Sequence, residues 1–147
     1  MPIHAEKRVM PYTAQQMYDL IADVDVYPEF LPWCSAIRVN KRDMKADVEV
    51  IEADMVISFK VFRERFGSRV SLTPAQREID VEYLDGPFKY LNNHWKFNDC
   101  EDGCEVDFFV DFEFKSKLLQ TIIGVVFGEA MQRIVGAFET RAKSLYG

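Results

Sequence analysis

The last thirty residues, 118–147, carry an apolar stripe whose spacing constrains the fold more than any other feature of the chain. Its members follow one another at intervals of three or four residues: Leu119, Ile123, Phe127, Met131, Ile134, Phe138, Ala142 and Leu145. Such intervals place the side chains on one face of a helix. A helix of about twenty-seven residues is roughly 40 Å long, so we predict that it lies across something broad.

The segment before that helix alternates apolar and polar residues, as half-buried strands do. The predicted strands are Ile3–Met10, Ala36–Lys41, Asp47–Met55, Val56–Leu72, Glu78–Leu84, Tyr90–Asn98 and Glu105–Phe114. Turn residues separate the last six at Arg42-Asp43, Thr73-Pro74, Asp85-Gly86-Pro87 and Asp99–Gly103. Gly67 is expected to mark a bulge. Short connections between consecutive strands imply an antiparallel meander.

Two short helices are predicted after the first strand. Thr13 is the N-cap of one, with Gln16 as its partner in a capping box. Pro28 and Pro32 limit the next segment to one or two helical turns between Asp25 and Leu31. This order of elements indicates an α+β fold whose curved sheet is covered by the terminal helix. No linker or repeat interrupts the chain, so we predict one domain over residues 1–147.

The covered face of the sheet is predicted to be aromatic. In the last strand the even positions from Val106 to Phe114 are apolar, which assigns them to the interior. Aromatic rings line apolar pockets as readily as they fill cores. The sequence is therefore compatible with a solid core and with a ligand cavity. Gly124, Gly128 and Gly136 in the helix each cost about 1 kcal/mol relative to Ala. They indicate either a close approach to the sheet or room for a ligand.

Charge and composition exclude several classes of function. A formal net charge of −6 argues against a phosphate backbone as the main partner, and hence against DNA. Three cysteines without a disulfide framework, and an amino terminus unlike a signal peptide, favour the cytoplasm. The longest uncharged stretch of the terminal helix, residues 118–128, is shorter than the roughly twenty residues of a membrane span.

Catalytic and metal-binding patterns are scarce. The chain has two histidines, His4 and His94, and it lacks the G-x-S-x-G, P-loop and G-x-G-x-x-G motifs. His94, Cys100 and Cys104 lack an evident fourth zinc ligand. Tyr83 is a candidate for modest acid–base work if it is buried. We therefore predict no catalytic residues, no metal site and no enzymatic activity.

Several segments resemble one known family. Residues 11–20 (PYTAQQMYDL) and 23–34 (DVDVYPEFLPWC) are similar to the amino-terminal signature of coenzyme Q-binding proteins with a START-like (polyketide cyclase/dehydrase-like) domain. Residues 66–70, 84–88 and 110–116 agree with the same family. The resemblance covers nearly the whole chain. It overlaps with that to bacterial ribosome association toxins.

This resemblance implies a helix-grip (START/Bet v 1-like) fold, with seven antiparallel strands around the terminal helix and a cavity for a lipophilic molecule. It implies binding of ubiquinone or a related polyprenyl lipid, with transient contact to a membrane surface, no catalytic cofactor, and a cytoplasmic place or a peripheral one at the inner membrane. Two alternatives stay open. One is binding to the large ribosomal subunit through a local basic strip (Arg63, Arg65 and Arg69), and the other is a polyketide cyclase/dehydratase-like enzyme.

The predicted ligand site combines inward-facing strand positions with the helix stripe. The predicted cavity lining is Trp33, Phe59, Val61, Tyr83, Phe88, Trp95, Phe97, Phe108, Phe112, Phe127, Met131, Ile134 and Phe138. Two of the signature segments are expected to form the cavity mouth, at Tyr27, Pro28, Phe30, Leu31, Gly86 and Pro87.

Overall fold

The computed structural model describes residues 3–59 and 62–147. Within these residues the strands are β1 (Ile3–Met10), β2 (Cys34–Lys45), β3 (Val48–Phe59), β4 (Phe62–Thr73), β5 (Glu78–Asp85), β6 (Phe88–Cys100) and β7 (Gly103–Phe114). The helices are α1 (Ala14–Ala22), a 3-10 helix (Val24–Glu29) and α2 (Lys117–Tyr146). The strands form one antiparallel sheet in the order β1-β7-β6-β5-β4-β3-β2. This arrangement confirms the predicted helix-grip fold.

The sequence places the boundary between the third and fourth strands wrongly. It predicts a break after Met55, but β3 continues to Phe59, which pairs with Phe62 at the start of β4. No glycine, proline or asparagine lies in residues 56–66 to mark a turn. The predicted irregularity at Gly67 is confirmed, because the register between β4 and β5 shifts between Gly67 and Ser68.

The turn predicted at Arg42-Asp43 is also wrong. The first strand of this hairpin, β2, continues to Lys45, and the turn lies at residues 46–47. Ala46 has a φ of 55° there. A left-handed backbone is uncommon for Ala, so the sequence carries no ordinary signal for this turn.

Capping interactions fix the start of α1 as predicted. Gln16 N donates to Thr13 Oγ1 at 3.0 Å, and Thr13 N donates to Gln16 Oε1 at 2.9 Å. Ala14 N also donates to Asp99 Oδ1 at 2.9 Å, which ties the helix to the hairpin between β6 and β7. The short 3-10 helix that follows contains Pro28. The two elements form the elbow that leads into β2.

The long helix α2 packs unevenly along its length. Its nearest neighbours are β7, β1 and α1. In its carboxyl-terminal half Met131, Val135, Phe138 and Ala142 are buried, whereas the stripe positions before Ala130 are only half-buried. The predicted stripe fails at Leu145, which is 52% exposed, although the next residue still contacts α1, since the Tyr146 hydroxyl donates to Gln16 O at 3.1 Å.

The helix glycines do not approach the sheet. A Cβ built at Gly124, Gly128 or Gly136 would meet nothing within 4 Å. Gly124 and Gly128 are exposed, next to Val125, which is 83% exposed. The hypothesis of close approach is therefore wrong, and the open space at these two glycines lies on the outer side of the helix.

Replacing Gly124 or Gly128 with Ala should stabilise the protein. Each change removes conformational freedom from the unfolded chain without a clash, so we expect the free energy of unfolding to rise by about 0.5–1 kcal/mol. Urea denaturation measures this. Gly103→Ala is the matched contrast and should destabilise, because Gly103 has a φ of 138° and its Cβ would collide with Met10 O. A loss of stability in Gly124→Ala would contradict the open packing.

Candidate functional site: an apolar cavity between the sheet and the long helix

A cavity of about 310 Å³ lies between the inner face of the sheet and α2. Its wall includes residues from β2 to β7, from the elbow and from α2. Strand alternation explains the wall: on β4, for example, Glu64, Phe66, Ser68 and Val70 all face inward. This volume is at the small end of ligand cavities, which are roughly 300–1,000 Å³. The site is therefore large enough for a ring and a short apolar chain.

A cluster of rings closes the end of the cavity next to the elbow. The Phe138 ring of α2 lies 5.4 Å from Trp95 on β6, 5.5 Å from Tyr27 and 5.4 Å from Phe30 (centroid distances). Trp95 in turn lies 4.3 Å from Phe108 on β7. Because these residues come from the sheet, the elbow and α2, the cluster fastens the three elements together.

A second ring cluster lies at the start of β6. The ring of Phe88 stacks on Phe114 at 4.6 Å and meets Phe66 and Phe112 edge-on at 5.3 and 5.6 Å. Aliphatic residues line the space between the two clusters, among them Met55, Val81, Val110, Ile123 and Met131. Both hypotheses from the sequence therefore hold in part, because the rings pack against one another and a cavity still remains beside them.

Eight residues predicted to line the cavity lie on its wall. They are Trp33, Phe88, Trp95, Phe108, Phe112, Met131, Ile134 and Phe138. Val61 and the side chain of Phe59 lie outside the described residues. The contact of the eight with a ligand stays a prediction.

Three predicted lining residues are placed elsewhere. Tyr83 packs beside Phe88, and its hydroxyl accepts a hydrogen bond from Phe88 N at 3.0 Å. Phe97 is 1% exposed and packs edge-on against Tyr18 of α1 at 6.1 Å. Phe127 packs near β1, 6.2 Å from the ring of His4. Strand parity for Tyr83 and Phe97, and the helix stripe for Phe127, correctly predict that these side chains are partly or fully buried. Neither pattern tells which part of the interior stays empty.

Of the residues predicted to form the cavity mouth, some lie on the cavity wall and others do not. Tyr27 and Leu31 lie on the cavity wall. Phe30 packs beneath Arg141, whose guanidinium carbon is 5.2 Å from the ring centroid, and Pro28 is exposed. Gly86 and Pro87 form the turn between β5 and β6 and are not on the wall. The elbow thus contributes to the cavity, whereas this turn supports the start of α2, since Lys115 N donates to Pro87 O at 2.8 Å.

Trp33 has an unusual backbone. Its φ is 66°, which is a genuine outlier for a bulky residue. Its carbonyl oxygen accepts a hydrogen bond from Ser58 N at 2.8 Å, so the elbow is tied to β3 at this point. The left-handed conformation stands directly before β2 and brings Trp33 to the cavity wall.

Sequence reasoning missed the polar residues of the wall: Cys34, Glu64, Ser68 and Asn93. Parity along β4 would have found two of them. The signal was lost because the sequence reads residues 56–72 as one strand, so that the inward positions of the true β3 and β4 were not separated.

Most polar groups of the wall already have partners. The Tyr27 hydroxyl donates to Ile21 O, and burial raises the pKa of Tyr27 far above its ordinary value. Trp95 Nε1 donates to Asn93 Oδ1 at 3.1 Å, and Asn93 Nδ2 donates to Phe109 O at 2.8 Å. No Lys, Arg or His is among the described residues of the wall. The cavity thus favours a neutral, mainly apolar molecule.

Two of the three arginines in the predicted basic strip, Arg65 and Arg69, are paired with acidic neighbours, whereas exposed Arg63 has no ion pair among the described residues. Arg65 pairs with Asp54 and with Asp85, the latter at 2.7 Å. Arg69 pairs with Glu82 at 3.3 Å. Among the residues that the structure describes, no group of three or more His, Cys, Asp and Glu side chains is arranged to hold a metal ion.

By length and composition alone, α2 is long and apolar enough to cross a membrane. The sequence argument, which counts only the uncharged stretch, predicts that it does not. In this fold one face of α2 covers the sheet, but only 22% of its most apolar stretch is buried. The helix therefore presents apolar surface on its outer side as well.

Comparisons with known proteins found a matching family model and several relatives. The family model of "polyketide cyclase/dehydrase and lipid transport" matches residues 10–139. Ribosome association toxin RatA of Rickettsia prowazekii is 36% identical over 141 residues, covering 94% of each protein. The mitochondrial coenzyme Q-binding protein COQ10 homolog B of Xenopus laevis is 34% identical over 149 residues, covering 98% of this chain and 59% of that protein.

Solved structures share the fold. An 18 kDa protein of Caulobacter crescentus superposes with a TM-score of 0.84 at 37% identity, covering 100% of this chain and 99% of that one. The Zhui aromatase/cyclase of a Streptomyces species superposes with a TM-score of 0.79 at 14% identity, covering 97% and 93%. The second likeness shows the fold alone.

Alkylation should report on the cavity through Cys34. Burial raises the pKa of Cys34 and of Cys104 to about 11, and only the thiolate reacts. At pH 8 iodoacetamide should label exposed Cys100 first, and labelling of Cys34 should speed up as the pH rises towards 11. A cavity ligand should slow Cys34 further and leave Cys104, which is not on the wall, unchanged. Mass spectrometry of the labelled peptides measures each rate, and equal protection of both buried thiols would contradict this assignment.

Proposed function

Since the chain belongs to the polyketide cyclase/dehydrase and lipid transport family, we propose that it binds ubiquinone or a related polyprenyl lipid between the sheet and α2. It acts as a carrier that supports respiratory electron transport. The observation that carries the proposal is the apolar cavity of about 310 Å³, without a cationic side chain among its described wall residues. A relative named coenzyme Q-binding protein supports the choice of ligand.

Apolar contact alone supplies the affinity that a carrier needs. Removing apolar ligand surface from water contributes roughly 25 cal/mol per Å², so a few isoprene units bind without any charged contact. The cavity accommodates a ring with a short part of the tail. The rest of a long tail leaves past the amino-terminal half of α2, where no residue from 118 to 128 is buried.

The wall also selects against anionic lipids. A buried phosphate or carboxylate needs a partner of opposite charge, and without one it is costly to desolvate. The wall provides no such partner among its described residues, and it includes the carboxylate of Glu64. Neutral prenyl lipids are thus better ligands than prenyl phosphates.

Filling the cavity should remove the ligand. Val126 of α2 is half-buried on the wall, and a Phe there would displace about 60 Å² of ligand surface, or about 1.5 kcal/mol. We expect the recovery of prenyl lipid from Val126→Phe to fall about tenfold. Solvent extraction of purified protein followed by mass spectrometry measures it. Val9→Phe, at an outward position that is 53% exposed, is the control with the same change and should keep the lipid. Repeated recovery of no prenyl lipid from the unmodified protein would overturn the proposal.

The carrier collects its ligand at a membrane through the amino-terminal half of α2. Residues 118–128 carry no charge, and Leu118 and Val125 are 61% and 83% exposed. Lys115 and Lys117 stand before them, exposed and without an ion pair among the described residues. Apolar side chains flanked by cations suit a bilayer that contains anionic lipid. The same segment lines the cavity with Leu119, Ile122 and Val126, so the docked surface adjoins the binding site.

Charges placed on this surface should prevent docking. We expect the double variant Leu118→Glu and Val125→Glu to lose about tenfold in binding to vesicles of phosphatidylethanolamine and phosphatidylglycerol, because two apolar contacts are lost and two anions are added. Vesicle cosedimentation measures this binding. Leu145→Glu, at the exposed far end of the same helix, should bind vesicles normally. An equal loss in Leu145→Glu would show that net charge, rather than this surface, controls the binding.

Binding to the large ribosomal subunit is the second candidate. It is favoured by the toxin named RatA, which is 36% identical over 94% of the chain. The ion pairs of Arg65 and Arg69 argue against a broad RNA contact on that face. Salt-sensitive cosedimentation with large subunits, together with the absence of prenyl lipid in the purified protein, would favour this candidate over the carrier.

A further inference from the structure

We propose that Ser68 and Asn93 form the head-group subsite of the cavity, by donating hydrogen bonds to two carbonyl oxygens of a neutral ring of the quinone class. The inference rests on the proposed function, which places a lipid in the cavity but does not orient it. Two observations carry it: a hydroxyl on the cavity wall without a hydrogen-bond partner among the described residues, and an amide held in place with one N–H left over.

The hydroxyl of Ser68 has no partner in the described structure. Ser68 lies on the inner face of β4, on the cavity wall, and it is 6% exposed. The Ser68 hydroxyl oxygen is not among the fully buried polar atoms without a partner, so part of its surface is open to the cavity, where a ligand oxygen can reach it. Its neighbours along the inward face of β4, Phe66 and Val70, are apolar. A donor in this position is explained if a ligand oxygen accepts from it.

The amide of Asn93 is fixed before any ligand binds. Trp95 Nε1 is only a donor, so Asn93 must turn its Oδ1 towards it, at 3.1 Å. The Nδ2 atom then donates one of its two hydrogens to Phe109 O at 2.8 Å. The second N–H remains, and Asn93 lies on the cavity wall. The side chain is thus a preorganised donor.

The sheet register separates the two donors by a distance that a ring can bridge. Ser68 pairs with Tyr83 on β5, whereas Val81 of β5 pairs with Asn93 on β6. The two residues are therefore two strands apart and offset by one inward-facing position, which gives about 12 Å between their Cα atoms. A ring with carbonyl oxygens on opposite edges, with a hydrogen bond of about 2.9 Å at each end, spans this distance once the side chains extend inward.

The other polar groups of the wall do not compete for a carbonyl. The Tyr27 hydroxyl donates to Ile21 O. Glu64, when ionised, only accepts hydrogen bonds and repels a carbonyl oxygen, and the thiol of Cys34 is a weak donor. Two free donors in an otherwise apolar wall therefore select a neutral ring with two acceptors over a plain hydrocarbon.

Ser68→Ala tests the subsite. We expect its affinity for a short-chain ubiquinone to fall about fivefold, the effect of one lost hydrogen bond. The affinity for an alkylbenzene with the same tail should not change. The unfolding temperature of the ligand-free variant should change little, since the hydroxyl makes no hydrogen bond to the described residues. Ser71→Ala, on the opposite face of β4, should leave both affinities unchanged.

The side-chain amide signals of Asn93 give a second readout. In nitrogen-edited NMR spectra they should shift when the quinone is added and stay in place with the alkylbenzene. Equal effects of Ser68→Ala on both ligands, no effect on either, or an Asn93 signal that ignores the quinone would overturn the subsite and leave the carrier function intact. If the unmodified protein binds neither ligand, the carrier function and the subsite both fail.

Discussion

The contact of Phe138 with Trp95 is the interaction on which the cavity depends. It is the place where the carboxyl-terminal half of α2 meets the middle of the sheet, with a centroid distance of 5.4 Å. Two rings occupy the width between the layers, so the helix cannot descend further onto β6. The aliphatic side chains beyond them are too short to reach across, and a gap remains. The same rings that anchor the helix therefore keep the space beside it open.

This contact divides α2 into two parts with different roles. From Ala130 onward the helix has buried positions and is held by the sheet, the elbow and α1, whereas residues 118–128 have no buried position. Segments with few buried apolar contacts open at lower free energy than the core. The amino-terminal half is therefore the part of α2 that can move without loss of the fold, and under the proposed function it is the part that an entering lipid would displace.

Much of the fold could be predicted from the sequence, because periodicity reports which face of an element is covered. The intervals between Leu119 and Ala142 locate α2, and the alternation in residues 105–114 orients β7. The cavity itself could not be predicted. Phe97 on β6 and Phe108 on β7 are both buried, with 1% and 5% exposed, yet only Phe108 lies on the cavity wall. That outcome depends on the distance between layers, which a single sequence does not encode. Ser68 escaped notice because residues 56–66 contain no glycine or proline to mark where β4 begins.

The two candidate functions use opposite faces of β4. The even positions, with Ser68 among them, face the cavity, while Arg65 and Arg69 at odd positions face outward into ion pairs with acids on β3 and β5. Exposed pairs of this kind contribute little to stability, so their main effect is to cancel the positive charge that an RNA surface would require. A ribosomal partner would have to displace these acids or approach elsewhere. A neutral lipid has no such ion pair to displace, because the wall that it contacts is mainly apolar, with Glu64 as the single charged side chain among its described residues. The charges on the two faces of β4 therefore favour a neutral lipid on the inner face over an RNA partner on the outer face.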